Sequence, residues 1–193
     1  CSMCMISPKM VEVGRHLNID IHSLAEVVSV EGEPGDFKVR VKRAPRYVDP
    51  DKCTGCGDCE VKCPKRVPSE FEQGLTVRKA IYSLFPQALP NTRAIDKGNC
   101  LYFAKGRCRL CQKACKAGAI NFEDKGEEID LHVGAIILCP GLDRYDAKVR
   151  GEFGLGRWKN VVTAIQFERI LSASGPYKGE VKRPFDGNHP KKI

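Results

Sequence analysis

Cys53-Thr54-Gly55-Cys56-Gly57-Asp58-Cys59-Glu60-Val61-Lys62-Cys63-Pro64 sets four thiols at the spacing C-x2-C-x2-C-x3-C-P. Thiols two residues apart on a short loop can reach successive corners of one iron–sulfur cubane, and Gly55 and Gly57 let backbone amides approach the sulfides. Cys63 lies too far along to join the same cubane, so the run calls for a second centre. Cys100, Cys108, Cys111 and Cys115 supply its thiols. The two runs also match outside the cysteines. Val48-Asp49 stands before Cys53 as Ile95-Asp96 stands before Cys100, as a duplication of strand, loop and helix requires. The second copy departs twice: seven residues separate Cys100 from Cys108, and Lys116 replaces the proline after the last cysteine.

This is the spacing of bacterial-type ferredoxins, in whose two-cluster members the fourth cysteine of each run ligates the other cluster. Crossed ligation assigns Cys53, Cys56, Cys59 and Cys115 to one [4Fe-4S] cluster and Cys63, Cys100, Cys108 and Cys111 to the other. Zinc prefers four ligands in two separated pairs, often with histidine, and His16, His22, His132 and His189 all lie outside the motifs. A disulfide framework belongs to small secreted scaffolds; the total of eleven cysteines is odd, and disulfides leave the motif spacing unexplained.

The elements that must position these thiols fit within 193 residues as one to two domains with a real core. Counting glycine and omitting tyrosine, about 49% of residues are apolar, inside the globular range. No apolar run approaches the roughly 18 residues of a membrane span, so this segment is expected to be soluble. The formal charge of +8 falls to roughly +4 once two clusters of about −2 each are included. The cations are spread as Arg40, Lys42, Arg43, Arg46, then Lys65, Arg66, then Lys105, Arg107, Arg109, Lys113, Lys116, and do not form one stripe. That argues against a nucleic-acid footprint and leaves an ordinary solvated face, tuning of cluster potential, or docking of an acidic partner.

Cys1-Ser2-Met3-Cys4 opens the chain and leads into a helical pattern through Val11, Val13 and Leu17. Cys1 and Cys4 could ligate a further cluster completed elsewhere, form a redox dithiol, or be two buried thiols. From Ile19 the pattern turns strand-like: Ala25 to Val30, a turn at Gly32-Glu33-Pro34-Gly35, and Phe37 to Val41 alternating apolar with charged, a half-exposed β-meander. It resumes only after the cysteine runs, at Glu128 to Gly134. The apolar Ala135-Ile136-Ile137-Leu138 then reads as a buried central strand. The cluster segment therefore interrupts a sheet domain. The aromatics between the cysteine runs, Tyr82 and Phe85 among them, are expected as a lid over the clusters or as core. Gly154-Leu155-Gly156 lacks the preceding strand and third glycine of a dinucleotide fingerprint. Val161 to Ser172 predicts a helix capped by Thr163 with Ile165, Phe167, Ile170 and Leu171 as packing residues, and a loop follows from Gly175 to Lys192. The chain opens at Cys1 without an initiator methionine and closes as if a strand were beginning, so it is expected to be part of something longer.

The chain resembles the A-type subunits of heterodisulfide reductase, a family of flavin and iron–sulfur proteins of anaerobic metabolism, over essentially all of its 193 residues, and several stretches carry the likeness. They are Cys1-Ser2-x-Cys4 with Ser7-Pro8-Lys9-Met10-Val11-Glu12-Val13-Gly14-Arg15-His16, Lys79-Ala80-Ile81-Tyr82, Phe85-Pro86-Gln87-Ala88, Phe167-Glu168-Arg169 and Ser172-Ala173-Ser174-Gly175-Pro176. The resemblance implies an α+β fold: a ferredoxin-like two-[4Fe-4S] domain at 47–123 inserted into part of a thioredoxin-reductase-like FAD/NAD(P)-binding α/β domain formed by 1–46 and 124–193. The family's glycine-rich FAD fingerprint is absent, and one flavin element carries over, Gly134 to Gly141, with Cys139-Pro140 where such proteins usually read Ala-Thr. Gly141 is the candidate FAD contact, and Cys139 has no assigned role.

By resemblance, the complete protein is a cytoplasmic oxidoreductase subunit in methanogenesis. Its clusters would pass single electrons between a flavin and partner subunits in flavin-based bifurcation. The implied partners are other heterodisulfide reductase subunits, an electron-input subunit of hydrogenase or formate dehydrogenase, and ferredoxin, with no nucleic acid and no membrane span. No acid–base catalytic residue is visible. Two alternatives use the same cysteines: a related subunit of a quinone-linked or aromatic-ring-reducing complex, and a zinc- or cluster-bearing nucleic-acid-binding module.

Overall fold

A computed structural model describes residues 2–192, with only the backbone of Ser2. The fold is mixed α/β and divides into two compact units. One comprises residues 10–65 and 79–140; the other comprises 1–9, 66–78 and 141–193.

The cysteine-bearing unit contains a three-stranded antiparallel sheet of β1 (Ala25–Glu33), β2 (Asp36–Arg43) and β7 (Glu127–Val133), in the order β1-β2-β7. The expected meander is present, with the turn at Pro34-Gly35. Its apolar rows meet in register: Val41 faces Val27 on one side and Ile129 on the other, and Val39 faces Val30 and Leu131. Cross-strand charge pairs fix the same register: Arg40 with Asp130 (3.0 Å) on the opposite face, and Arg43 with Glu127 (3.0 Å) at the end of the apolar row. Val39 and Val41 are buried, whereas β1 is largely exposed, so one strand edge and part of one face meet solvent. The cysteine runs lie between β2 and β7 in sequence.

Ala135-Ile136-Ile137-Leu138 does not form the expected buried strand. β7 stops at Val133, and Ile137 and Leu138 are 87% and 83% exposed. A continuous apolar run becomes a central strand only between two partner strands, and none of the described strands pairs with it. Ile19 and Ile21 likewise lie outside any strand. The helical pattern at the start is realised as α1 (Ser2–Arg15), which contains Pro8.

The same unit contains two short helices in equivalent places. α2 (Asp58–Lys62) and α4 (Leu110–Ala114) have five residues each, with Cys59 and Cys111 at their second positions and Cys63 and Cys115 as their C-caps in extended backbone. The flanking strands repeat too. Val48 bridges Ile120, and Ile81 in β5 (Ile81–Tyr82) pairs with Ile95 in β6 (Ala94–Ile95). Each strand entering one run thus pairs with the segment leaving the other. The extra residues of the second run form α3 (Leu101–Lys105), which has no counterpart in the first.

In the other unit, β3 (Arg66–Pro68) pairs with β4 (Val77–Lys79). Helix α5 (Ala164–Leu171) begins at Thr163 through a reciprocal cap: Gln166 donates its backbone N–H to Thr163 Oγ1, and Thr163 donates its own to Gln166 Oε1. Ile170 is buried as expected, whereas Leu171 is 45% exposed. The helix also buries a charge. Arg169 is 4% exposed and forks onto Glu72 at 2.9 and 3.1 Å, with its guanidinium 4.4 Å from the centre of the Phe71 ring.

Candidate metal centres

Cys59, Cys100 and Cys111 are buried in one apolar core with Tyr47, Val48, Ile81, Ile95, Ala119, Ile120 and Phe122, and Cys53, Cys63 and Cys115 pack against it. Cys108 is half-buried and Cys56 exposed. All ten cysteines among the described residues are free, which removes the disulfide reading for them. No group of three or more His, Cys, Asp or Glu side chains among the described residues converges tightly enough to hold a single metal ion. A lone zinc ion requires its thiolates about 2.3 Å from one point; a cubane spaces them wider.

The cysteines fall into neighbourhoods that cross between the runs. Burial pushes the Cys59 thiol up to about 11, opposed by Arg93 and reinforced by Cys115 and Cys53. Burial likewise pushes Cys111 up to about 12, with Cys100, Cys59 and Cys63 adding to the rise. Cys63, Cys100, Cys108 and Cys111 together line one cavity, closed by the apolar side chains of Ala80, Ile81, Ile95, Leu101 and Leu110. An unpaired thiolate is costly in such surroundings, and a thiolate bound to iron is held deprotonated. The donor set and its apolar lining fit a cubane.

Local backbone explains how the loops reach this geometry. Gly55 has φ +72, and a Cβ there would lie 2.8 Å from the Asn91 carbonyl oxygen; Gly57 has φ +85 and caps α2. Only glycine adopts such angles at low cost. Cys108 has φ +146, a region L residues rarely enter, where the longer second loop rejoins the motif. Ala119 donates its backbone N–H to the Cys115 sulfur at 3.3 Å, and Lys79 donates from Nζ to the Cys63 carbonyl oxygen at 2.6 Å.

Several positioning groups carry no signal in the sequence. Tyr47, Tyr102, Phe103 and Phe122 form the aromatic cluster of this core, with Tyr102 stacked on Phe122 at 4.0 Å and Tyr47 against Phe103 at 4.6 Å. Two of the four, Tyr102 and Phe103, belong to the extra helix α3. Arg93, 14% exposed at its side chain, binds Glu60 of α2 at 3.0 Å and supplies the cation beside Cys59. Asp124 clasps the exit of the second run to the entry of the first: its carboxylate accepts from the backbone N–H groups of Arg46 (2.9 Å), Tyr47 (3.1 Å) and Gly126 (2.9 Å).

The remaining candidates stand apart. Cys1 lies outside the described residues. Cys4 is exposed on α1, so the buried-thiol reading fails for it, and Cys139 is exposed as well. Gly141 has φ +75 with open space around an added Cβ. Among the described residues, no helix is long and apolar enough to cross a membrane.

Residues 46–69, holding the first cysteine run, match the family described as 4Fe-4S binding domain. The whole chain is 45% identical to the A-type subunit of H(2):CoB-CoM heterodisulfide,ferredoxin reductase from Methanothermobacter thermautotrophicus, covering 28% of that protein. The chain is homologous, over all of its length, to the heterodisulfide reductase A-type subunits. It is also 49% identical to the second A-type iron-sulfur subunit of CoB--CoM heterodisulfide reductase from Methanopyrus kandleri, covering 29% of it. To the A-type subunit of Ferredoxin/F(420)H(2)-dependent CoB-CoM heterodisulfide reductase from Methanosarcina acetivorans it is 41% identical, covering 24%. The chain thus spans about a quarter of the length of the heterodisulfide reductase subunits that it matches.

Proposed function

We propose that this segment is the electron-transfer part of a heterodisulfide reductase A-type oxidoreductase subunit and holds two [4Fe-4S] clusters by crossed ligation. Cys53, Cys56, Cys59 and Cys115 hold one; Cys63, Cys100, Cys108 and Cys111 hold the other. The observation that carries this reading is the cavity where Cys63 meets three cysteines of the second run.

When bound, each cubane supplies one-electron redox chemistry. The chain's part is to hold the thiolates, keep water from the sulfurs with Ile81, Ile95 and Leu101, and set local charge. The Ala119 N–H at the Cys115 sulfur and the Arg93 guanidinium beside Cys59 both favour the more negative, reduced state.

In the complete protein the two-cluster segment 47–123 interrupts a flavin domain to which 1–46 and 124–193 belong, a reading supported by the pairing of β2 with β7 across the cysteine runs. Gly141 would approach FAD, with the rest of the cradle supplied from outside this segment. Clusters held there would supply single-electron transfer between that flavin and partner subunits, in bifurcation that links ferredoxin to heterodisulfide reduction with hydrogen or formate as electron source, in keeping with the relatives' names. Anaerobic purification followed by metal and acid-labile sulfide analysis tests the assignment. About eight iron and eight sulfide per chain, four of each per cubane, are expected for this segment. Zinc without sulfide would overturn it.

A further inference from the structure

Between Lys97 and Phe122 the chain carries Lys97, Lys105, Arg107, Arg109, Lys113 and Lys116 and no aspartate or glutamate. The first cysteine run differs, setting Asp58 and Glu60 against Lys62. All of these second-run cations are exposed. None of them takes part in the ion pairs formed among the described residues. The seven-residue spacer is what builds this face. It forms α3, which Gly106 terminates at φ +64, and so brings Lys105 and Arg107 up to Cys108. Arg109 is held in place by Tyr102, donating from Nη2 to its hydroxyl at 3.2 Å with the guanidinium 5.1 Å from the ring centre.

Three of these cations, Arg107, Arg109 and Lys113, line one groove with Gly106, Cys108 and Leu110. Leu110 is 46% exposed, so the groove offers an apolar spot inside a cationic rim. Cys108 is at once a lining residue of this groove and of the cluster cavity beneath it. A surface charge cluster on its own has many uses; one centred on a cluster cysteine places a visiting redox centre near the iron. Small, charge-complementary contacts suit transient electron-transfer encounters, where charge sets the association rate.

We propose that this face docks an acidic one-electron carrier protein, its carboxylates meeting Lys105, Arg107, Arg109 and Lys113 around Leu110. The proposal rests on the reading above that Cys63, Cys100, Cys108 and Cys111 hold a cubane. In the encounter, the carrier's reduced metal centre loses one electron and the oxidised cubane gains one; no bond breaks and no proton moves. Single-stranded nucleic acid fits the face less well. Its binding needs exposed aromatic platforms, whereas Tyr102 is covered by Arg109 and Phe103 packs into the core.

The test uses the full-length holoprotein, prepared anaerobically, and a reduced small acidic ferredoxin as probe, with electron transfer followed by stopped-flow absorbance. The second-order rate is expected to fall about tenfold or more between roughly 0.05 and 0.5 M salt. Lys105→Glu/Arg107→Glu/Lys113→Glu is expected to lower the low-salt rate about tenfold or more while iron content and EPR signals stay at wild-type values. The charge-matched variant Lys148→Glu/Lys191→Glu/Lys192→Glu is expected to keep the wild-type rate. A wild-type rate indifferent to salt overturns the docking face without any variant, as does equal slowing by both triple variants. A single-stranded oligonucleotide that binds wild type at physiological salt and is lost in the first variant overturns it in favour of nucleic acid. Wild-type protein without iron would instead refute the cluster assignment beneath it, and the docking face with it.

Discussion

Cys115, the last cysteine of the second run, lies within electrostatic reach of Cys59, in the middle of the first. Crossed ligation follows if that neighbourhood is a cluster site. Cys115→Ser is expected to alter the EPR signal of the cluster held by Cys53, Cys56 and Cys59, and Cys63→Ser to alter the other. Loss of one cubane would take iron toward about four per chain. Spectra in which each substitution disturbs the cluster of its own run would show uncrossed ligation.

Arg93 places a nearly buried cation beside Cys59 and pairs with Glu60 at 3.0 Å. Removing it takes away a charge that favours the reduced cluster and leaves Glu60 unpaired. Arg93→Gln is therefore expected to lower that cluster's midpoint potential by some tens of millivolts, given about 2.3 kcal/mol per unit charge per 100 mV. Glu60→Gln should move it the other way. A redox titration checks both, and an unchanged or raised potential in Arg93→Gln would remove Arg93 from this role.

Asp124 ties the strand before Cys53 to the segment after Cys115. Burial pushes its carboxyl up, but the backbone N–H donors of Gly126, Tyr47 and Arg46, with the Arg43 charge, outweigh this and hold it below the usual carboxylate range. The folded value is lower than the unfolded one, so this stabilisation is complete above the unfolded value of about 4 and is lost as pH falls through the folded value. Asp124→Ala should cost about 1–3 kcal/mol near neutral pH by leaving backbone donors without their acceptor. Thermal unfolding across pH should show the deficit shrinking in acid. A deficit that grows as pH falls would contradict the clasp.

Glu72 and Arg169 form a forked pair whose side chains are 14% and 5% exposed. Breaking one partner of a buried pair strands the other, so Glu72→Gln is expected to destabilise the protein by about 3–5 kcal/mol in urea denaturation. A cost under about 1 kcal/mol would class the pair with exposed ones.

The cysteine motifs are legible in the sequence because their spacing is local: three thiols in each run are set by loop length, and the fourth by its distance from them. The meander and the Thr163 cap are legible because alternation and capping act over a few residues. What lies beyond reach is non-local. Arg93 and Asp124 find their partners only when both runs fold together. The aromatics between the runs, Tyr82 and Phe85, draw attention in the sequence, but the aromatic cluster is built around Tyr47, Tyr102, Phe103 and Phe122. The apolar run 135–138 misleads because hydropathy reports what a strand needs, not whether partner strands flank it. Arg107, Arg109 and Lys113 are close in sequence, but that they share one groove with Cys108 depends on how the residues between α3 and α4 fold.

Reductive titration of the anaerobic protein followed by EPR tests the central claim most directly. Two one-electron steps per chain are expected within this segment, with the fully reduced state showing the broadened spectrum of two spin-coupled [4Fe-4S] clusters. Uptake of no electrons here, or one isolated cluster signal at full reduction, would contradict it.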